Sequence, residues 1–164
     1  MGRGLGHPSC ISRKVLAAAA CGLLVVLAGC GEGGGVGEGA TATVYAGAAY
    51  CHLATRALEG EGGRAGSVRV RIHCLPATER AGHFDLAQIG ANARRATEDS
   101  TTVAYIGEPE PHATRFAEPI LEAAGIAMLP NMIGSKAMHR ILHAIREAGT
   151  SSSSLREAVN DELN

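Results

Sequence analysis

The chain has 164 residues, room for one domain with a modest core. Aromatic content is 3% with no Trp, so the interior must be built from Ala, Val, Leu and Ile. Net charge is -1 with the basic residues scattered, which removes nucleic acid as an expected partner.

Residues 1–14 carry Arg3, Arg13 and Lys14 and no acid. Residues 15–28, VLAAAACGLLVVLA, are fourteen uncharged and mostly apolar positions. A spanning helix needs about 20, so an export signal over residues 1–29 is the better reading. The run ends in Leu27-Ala28-Gly29-Cys30, which resembles the bacterial lipoprotein lipobox. That resemblance implies acylation of Cys30, as with palmitate, and a protein held in the bacterial envelope. The site would be the outer face of the cytoplasmic membrane, or the periplasm. An uncleaved short anchor and an ordinary secretion signal are the alternatives. Residues 31–40 contain six glycines and cannot bury a core, so residues 30–40 read as a tether. Without residues 1–29 the chain has 12 basic and 16 acidic residues, a mildly acidic domain.

The folded part begins with a β-rich run, TATVYA, at residues 41–46. Residues 50–59 suit a short helix and residues 60–66 a glycine-rich turn. Residues 68–74 alternate strictly, with Val68, Val70, Ile72 and Cys74 on one face and Arg69, Arg71 and His73 on the other. Strict alternation leaves one face wet, as on an edge strand. Residues 76–83 read as a loop. Asp85 and Gln88 then form a capping-box pair, and Leu86, Ile89, Ala93 and Ala96 make one helical stripe. Residues 102–106 are a second buried strand. Ala113, Phe116, Ala117, Ile120, Leu121 and Ala124 make the next helical stripe, closed by Gly125. Residues 126–129 are a last short strand, stopped by Pro130. Strands alternating with helices predict an α/β, Rossmann-like lobe. Its sheet would have four parallel strands in the order 2-1-3-4. Residues 135–148 form a helix, capped by Ser135, with Met138, Ile141, Leu142 and Ile145 turned to the sheet. Ser154 and Glu157 cap a final helix carrying Leu155, Ala158, Val159 and Leu163.

Residues 41–131 resemble the first lobe of type I periplasmic binding proteins. The nearest group is the branched-chain amino acid (Leu/Ile/Val-type) receptors of ABC transporters. The features that carry the resemblance are Ile106-Gly107, a helix with internal Glu118-Pro119, and Ala124-Gly125-Ile126. Residues 132–164 resemble the helices found near such receptors' C-termini. Only three residues separate Asn131 from Ser135, where the family has on the order of 200, two domain-sized lobes being its rule. The resemblance therefore implies an internally truncated receptor, with the last strand left as an open edge. It implies an amino-acid-like small solute as ligand and an ABC transporter permease as partner. No cofactor, metal or catalytic residue is expected.

Ligands in open α/β sheets lie beyond the carboxyl ends of the strands. The resemblance places a ligand carboxylate at the helix start formed by His112, Ala113 and Thr114. Gly107, Glu108 and Asn131 complete the candidate site. Glu108 and Glu110 put negative charge beside it, and ordinary capping without a ligand is the competing account.

Cys51 and Cys74 fall at the ends of adjacent strands, which with export points to a disulfide. His52 and His73 beside them leave a Cys/His metal site as the rival, at a spacing that matches no standard zinc motif. His139 and His143 stand four apart on a helix, where a solvated face is the simpler account. No phosphate loop, nucleophile elbow or paired carboxylates emerge, so the sequence offers nothing for an enzyme to work with.

Overall fold

The computed structural model describes residues 39–80, 82–107, 110–149 and 154–164. All of them fall in one compact unit, Gly33–Asn164. The signal and most of the tether lie outside the described residues.

The elements run β1 (Thr41–Ala46), α1 (Ala48–Gly60), β2 (Arg64–Ala65), β3 (Val68–Cys74), β4 (Glu79–Arg80), β5 (His83–Phe84) and α2 (Leu86–Glu98). They continue as β6 (Thr102–Ile106), α3 (Pro111–Glu122), β7 (Ala127–Leu129), α4 (Gly134–Ala148) and α5 (Leu155–Leu163). The architecture is α/β and Rossmann-like, a mostly parallel sheet with five helices among the described residues.

The sheet has five strands, in the order β2-β3-β1-β6-β7, which corrects the expected four-stranded order 2-1-3-4. β1 runs parallel to β3 and to β6, and β6 parallel to β7. The added member, β2, is antiparallel to β3, with Ala65 opposite Val68. Only Gly66 and Ser67 separate those two residues, and Gly66 has φ +60. A two-residue loop with glycine in that conformation is how a tight hairpin turns. The expected loop over residues 76–83 also contains strand: β4 and β5 pair as a second small hairpin.

One apolar core lies on each face. The first collects Val44, Val68, Val70, Ile106 and Leu129 from the sheet under α1, α4 and α5. The second joins Tyr45, Tyr105 and Ile126 to Ile89, Ala93 and Ala96 of α2 and Ala113, Ala117 and Leu121 of α3. Met138, Ile141, Leu142 and Ile145 are fully buried in the first core. Each such side chain contributes about 1.5–3 kcal/mol over its exposed state, so α4 is held by its stripe.

Local signals placed several boundaries. Asp85 accepts a hydrogen bond from the Gln88 N–H at 3.0 Å. Ser154 accepts from the Glu157 N–H at 3.3 Å, and Gly125 turns at φ +64. Ser135 does not cap α4, because the helix starts one residue earlier, after Ile133. Leu86 and Phe116, expected in the core, are 52% and 43% exposed. Leu86 is the first residue of α2, and Phe116 lies against α2, its ring 3.4 Å from where a β-carbon on Gly90 would stand.

α5 is tied down by Arg156. Its guanidinium donates to the carbonyls of Thr102 at 2.7 Å, Asp99 at 3.0 Å and Ala124 at 3.4 Å. Those acceptors lie at the start of β6, the end of α2 and the turn before β7, so one cation satisfies backbone at three chain reversals.

β7 ends the sheet, but its edge is blunted. The Leu129 carbonyl accepts from the Gly107 N–H at 3.3 Å, so Leu129 faces β6. By the alternation of a parallel ladder, Met128 directs its own N–H and C=O outward. On either side pairing fails: Ile126 donates to Leu121 at 3.0 Å, and Pro130 has no N–H. The edge lies in a recess of about 280 Å³ between Glu118 and Glu122 of α3 and Asn160 of α5 with Asn164 just after it. A short, flanked edge of this kind resists strand addition.

Candidate functional site

Four strands end level. Ala46 is in register with Cys74 on one side and Ile106 on the other, and Ile106 with Leu129. The chain leaves this rim through Gly47, Gly107 and Pro130. The Gly47 N–H donates to the Ile106 carbonyl at 3.0 Å, which carries the sheet's hydrogen bonding into the start of α1.

Gly107 is buried beneath the rim. A β-carbon there would stand 2.9 Å from Met128 Cε and 3.6 Å from Thr114 Oγ1, so the glycine lets α3 settle onto the sheet. Glu110 is the residue before α3, with extended backbone and no side-chain cap. Pro111 follows and removes one of the N–H groups a helix start ordinarily offers. The first helical bond runs from the Thr114 N–H to the Glu110 carbonyl at 3.2 Å. The donors left facing the rim are therefore the N–H groups of His112 and Ala113.

The six expected ligand positions divide. Gly107, Ala113 and Thr114 are buried, with Ala113 and Thr114 only 1% and 5% exposed. His112 and Asn131 are exposed, and Glu108 lies outside the described residues. The Thr114 side chain turns inward, so no threonine hydroxyl meets solvent at this helix start. Asn131 takes φ +54, the left-handed conformation that Asn tolerates, and passes the chain to α4. Sequence reasoning missed Arg115, whose guanidinium lies 3.3 Å from His112 Nδ1 on the exposed side of α3. The signal was their spacing of three on one helix face. Arg115 supplies a cation against which an anionic group could sit.

The structure pairs Cys51 with Cys74 as a disulfide, with Cα atoms 5.5 Å apart. It joins the first turn of α1 to the end of β3 at the same rim. Cys51 is buried and Cys74 exposed, and Cys74 reaches Cys51 from the face of β3 that it shares with Val68 and Val70, as the alternation predicts. His73 points to the other face of the sheet, where its ring stacks on Tyr45 with centroids 4.8 Å apart. Successive residues of a strand face opposite ways, so His73 cannot join Cys74 around a metal. His139 and His143 lie on the exposed side of α4. Among the described residues no three His, Cys, Asp or Glu side chains gather as a metal cluster.

At the opposite end of the sheet, Asp99 accepts from the Thr101 hydroxyl at 2.6 Å, the Thr101 N–H at 2.8 Å and the Tyr45 hydroxyl at 3.2 Å. Those donors, the Thr101 hydroxyl first, hold its carboxyl below the usual carboxylate range. Burial first, and then the Asp99 charge, pushes the Tyr45 phenol up. This cluster fixes the turn into β6 and is remote from the rim.

No family model, curated protein or solved structure matches this chain. What bears on function is accordingly the rim's own chemistry and the sequence motifs.

Proposed function

We propose that the protein is an extracytoplasmic lipoprotein derived from the solute receptors of ABC transporters for amino acids or similar small polar molecules. It is acylated at Cys30 and keeps one receptor lobe, so its hold on a solute is weak. The observation that carries this reading is the level rim where β1, β6 and β7 end. There the start of α3 presents two backbone N–H groups beside His112 and Arg115, a chemistry suited to a carboxylate. The LAGC motif and the pattern Ile106-Gly107, Glu118-Pro119, Ala124-Gly125-Ile126 support the same origin.

One observation favours a second reading, an envelope lipoprotein without a transport role that acts by protein contact or is an inactive remnant. Thr114 is buried and Pro111 withholds a donor, so the carboxylate site is poorer than the resemblance implies.

Two measurements separate these readings. In a bacterial host, a fatty-acid label should enter the wild-type chain and not Cys30→Ala, and the variant should leave the membrane fraction. An unlabelled wild type would overturn the anchor. Calorimetry of residues 33–164 with free amino acids should give millimolar binding, about 4 kcal/mol. Complete absence of binding would leave the non-transport reading, and micromolar binding would show that one lobe suffices.

A further inference from the structure

The edge of the sheet opposite β7 has a face covered by no helix. Val68 and Val70 of β3 point into the first core, so Arg69, Arg71 and His73 point the other way and are exposed. The second core shows why they stay so: it draws Tyr45 and Tyr105 from the central strands under α2 and α3, and from β3 nothing. Arg64 of β2 pairs directly with Arg69. Residues directly opposite in an antiparallel pair share a face, and like charges there repel. Arg64, Arg69, Arg71 and His73 thus form one basic strip. Arg69 and His73 stand about 13 Å apart along the strand.

The strip's charges are largely uncommitted. Arg64 donates to the Ser67 carbonyl at 2.7 Å, and no carboxylate among the described residues pairs with Arg64, Arg69 or Arg71. The neighbouring charges come from α2, whose Arg95 and Glu98 act on Tyr45. The nearby Asp99 is already engaged by Thr101 and Tyr45. Burying none of these cations costs nothing in the free protein, yet placing two arginines opposite each other gains nothing in folding. An anionic surface resolves that repulsion.

The position of the strip indicates which surface. β1 starts at Thr41, whose register partner on β3 is Arg69. The ten residues 31–40 join Thr41 to Cys30, and ten residues span at most about 35 Å even when fully extended. If Cys30 carries the acyl chain, the domain meets the bilayer through a short link that arrives one strand away from Arg69.

We propose that the strip of Arg64, Arg69, Arg71 and His73 docks the domain on anionic lipid headgroups. The guanidinium fork suits phosphodiesters, and each arginine near such a surface strengthens partition about fivefold. Docking by this strip turns the uncovered face of β3 to the membrane. The inference rests on the anchored-lipoprotein reading for its geometry, but its test does not need the anchor.

Unacylated protein, residues 33–164, is sedimented with vesicles at low salt. The parent should bind vesicles containing phosphatidylglycerol and not pure phosphatidylcholine. Binding should fall as salt is raised, since exposed charges are screened. The variant Arg64→Gln/Arg69→Gln/Arg71→Gln should lose binding on the order of a hundredfold, with its melting temperature checked against the parent's. The matching triple Arg→Lys variant, which keeps the charge, should retain most of it and guards against a glutamine variant that fails to fold. A parent that ignores phosphatidylglycerol overturns the proposal. So does equal binding to both vesicles, undiminished binding by the folded glutamine variant, or preference for duplex DNA over the anionic vesicles. A missing acyl label would instead overturn the anchor and leave the vesicle result standing.

Discussion

Cys74→Ser should lower the stability of the domain by about 3 kcal/mol. Cys51 and Cys74 are 23 residues apart in sequence, and closing a loop of that size removes roughly this much free energy from the unfolded ensemble. Native strain is not needed for the effect, because the constraint acts on the unfolded chain. For a domain of this size the melting temperature should drop by roughly 10–15 °C. Cys74 is exposed and Cys51 buried, so serine at position 74 adds no buried hydroxyl and leaves one apolar-packed thiol. Denaturant melts with and without reductant, on parent and variant, check the result. Reductant should shift the parent to the variant's midpoint and leave the variant where it was. A parent with two free thiols by mass spectrometry, or one indifferent to reductant, would refute the bond's contribution.

Gly134→Ala should also destabilise, by about 1–3 kcal/mol. Gly134 is the first residue of α4, where that helix crosses α1. A β-carbon there would collide with the Tyr50 carbonyl oxygen, and would lie 3.1 Å from Tyr50 Cβ and 3.2 Å from the Ala54 nitrogen. Two of these three neighbours are backbone of α1, so the helices must separate. The helix propensity of alanine, worth about 1 kcal/mol over glycine, works in the opposite direction and loses. Gly60→Ala is the matched control. Gly60 closes α1 with no atom within 4 Å of a β-carbon, so the same exchange there should be neutral or stabilising by up to about 1 kcal/mol. Thermal melts should therefore place Gly134→Ala below the parent and Gly60→Ala level with it or above. A Gly134→Ala variant as stable as the parent would show that α1 and α4 are not packed this closely.

Much of the local structure was legible because it is set by near neighbours. Asp85 and Ser154 cap helices that begin immediately after them, and Gly125 takes the positive φ at the end of α3. β3 shows its two faces through residues two apart. β2 was not read, because its two residues fall inside the expected glycine-rich turn at residues 60–66 and a two-residue strand carries no periodicity of its own. The candidate site was less legible. His112, Ala113 and Thr114 do form the first turns of α3, yet the inward turn of Thr114 depends on how that helix lies over Gly107. The His112–Arg115 contact could have been inferred from spacing alone.

By itself the sequence determined the alternation of strands and helices, the inward stripes of α4 and the wet face of β3, since each follows from periods of 3.6 or 2 along a few residues. It also carries the LAGC motif on which the proposed anchor depends. The tertiary structure decided what depends on distant parts of the chain becoming neighbours. It left Leu86 and Phe116 exposed, outside both cores. It set Arg156 against the carbonyls of Thr102, Asp99 and Ala124, at least 32 residues away in sequence. It set Asn160 of α5 beside Glu118 and Glu122 of α3 at the edge of β7, and it brought Gly134 against Tyr50 and Ala54 of α1. No local pattern encodes such juxtapositions, because they follow from the packing of both cores at once.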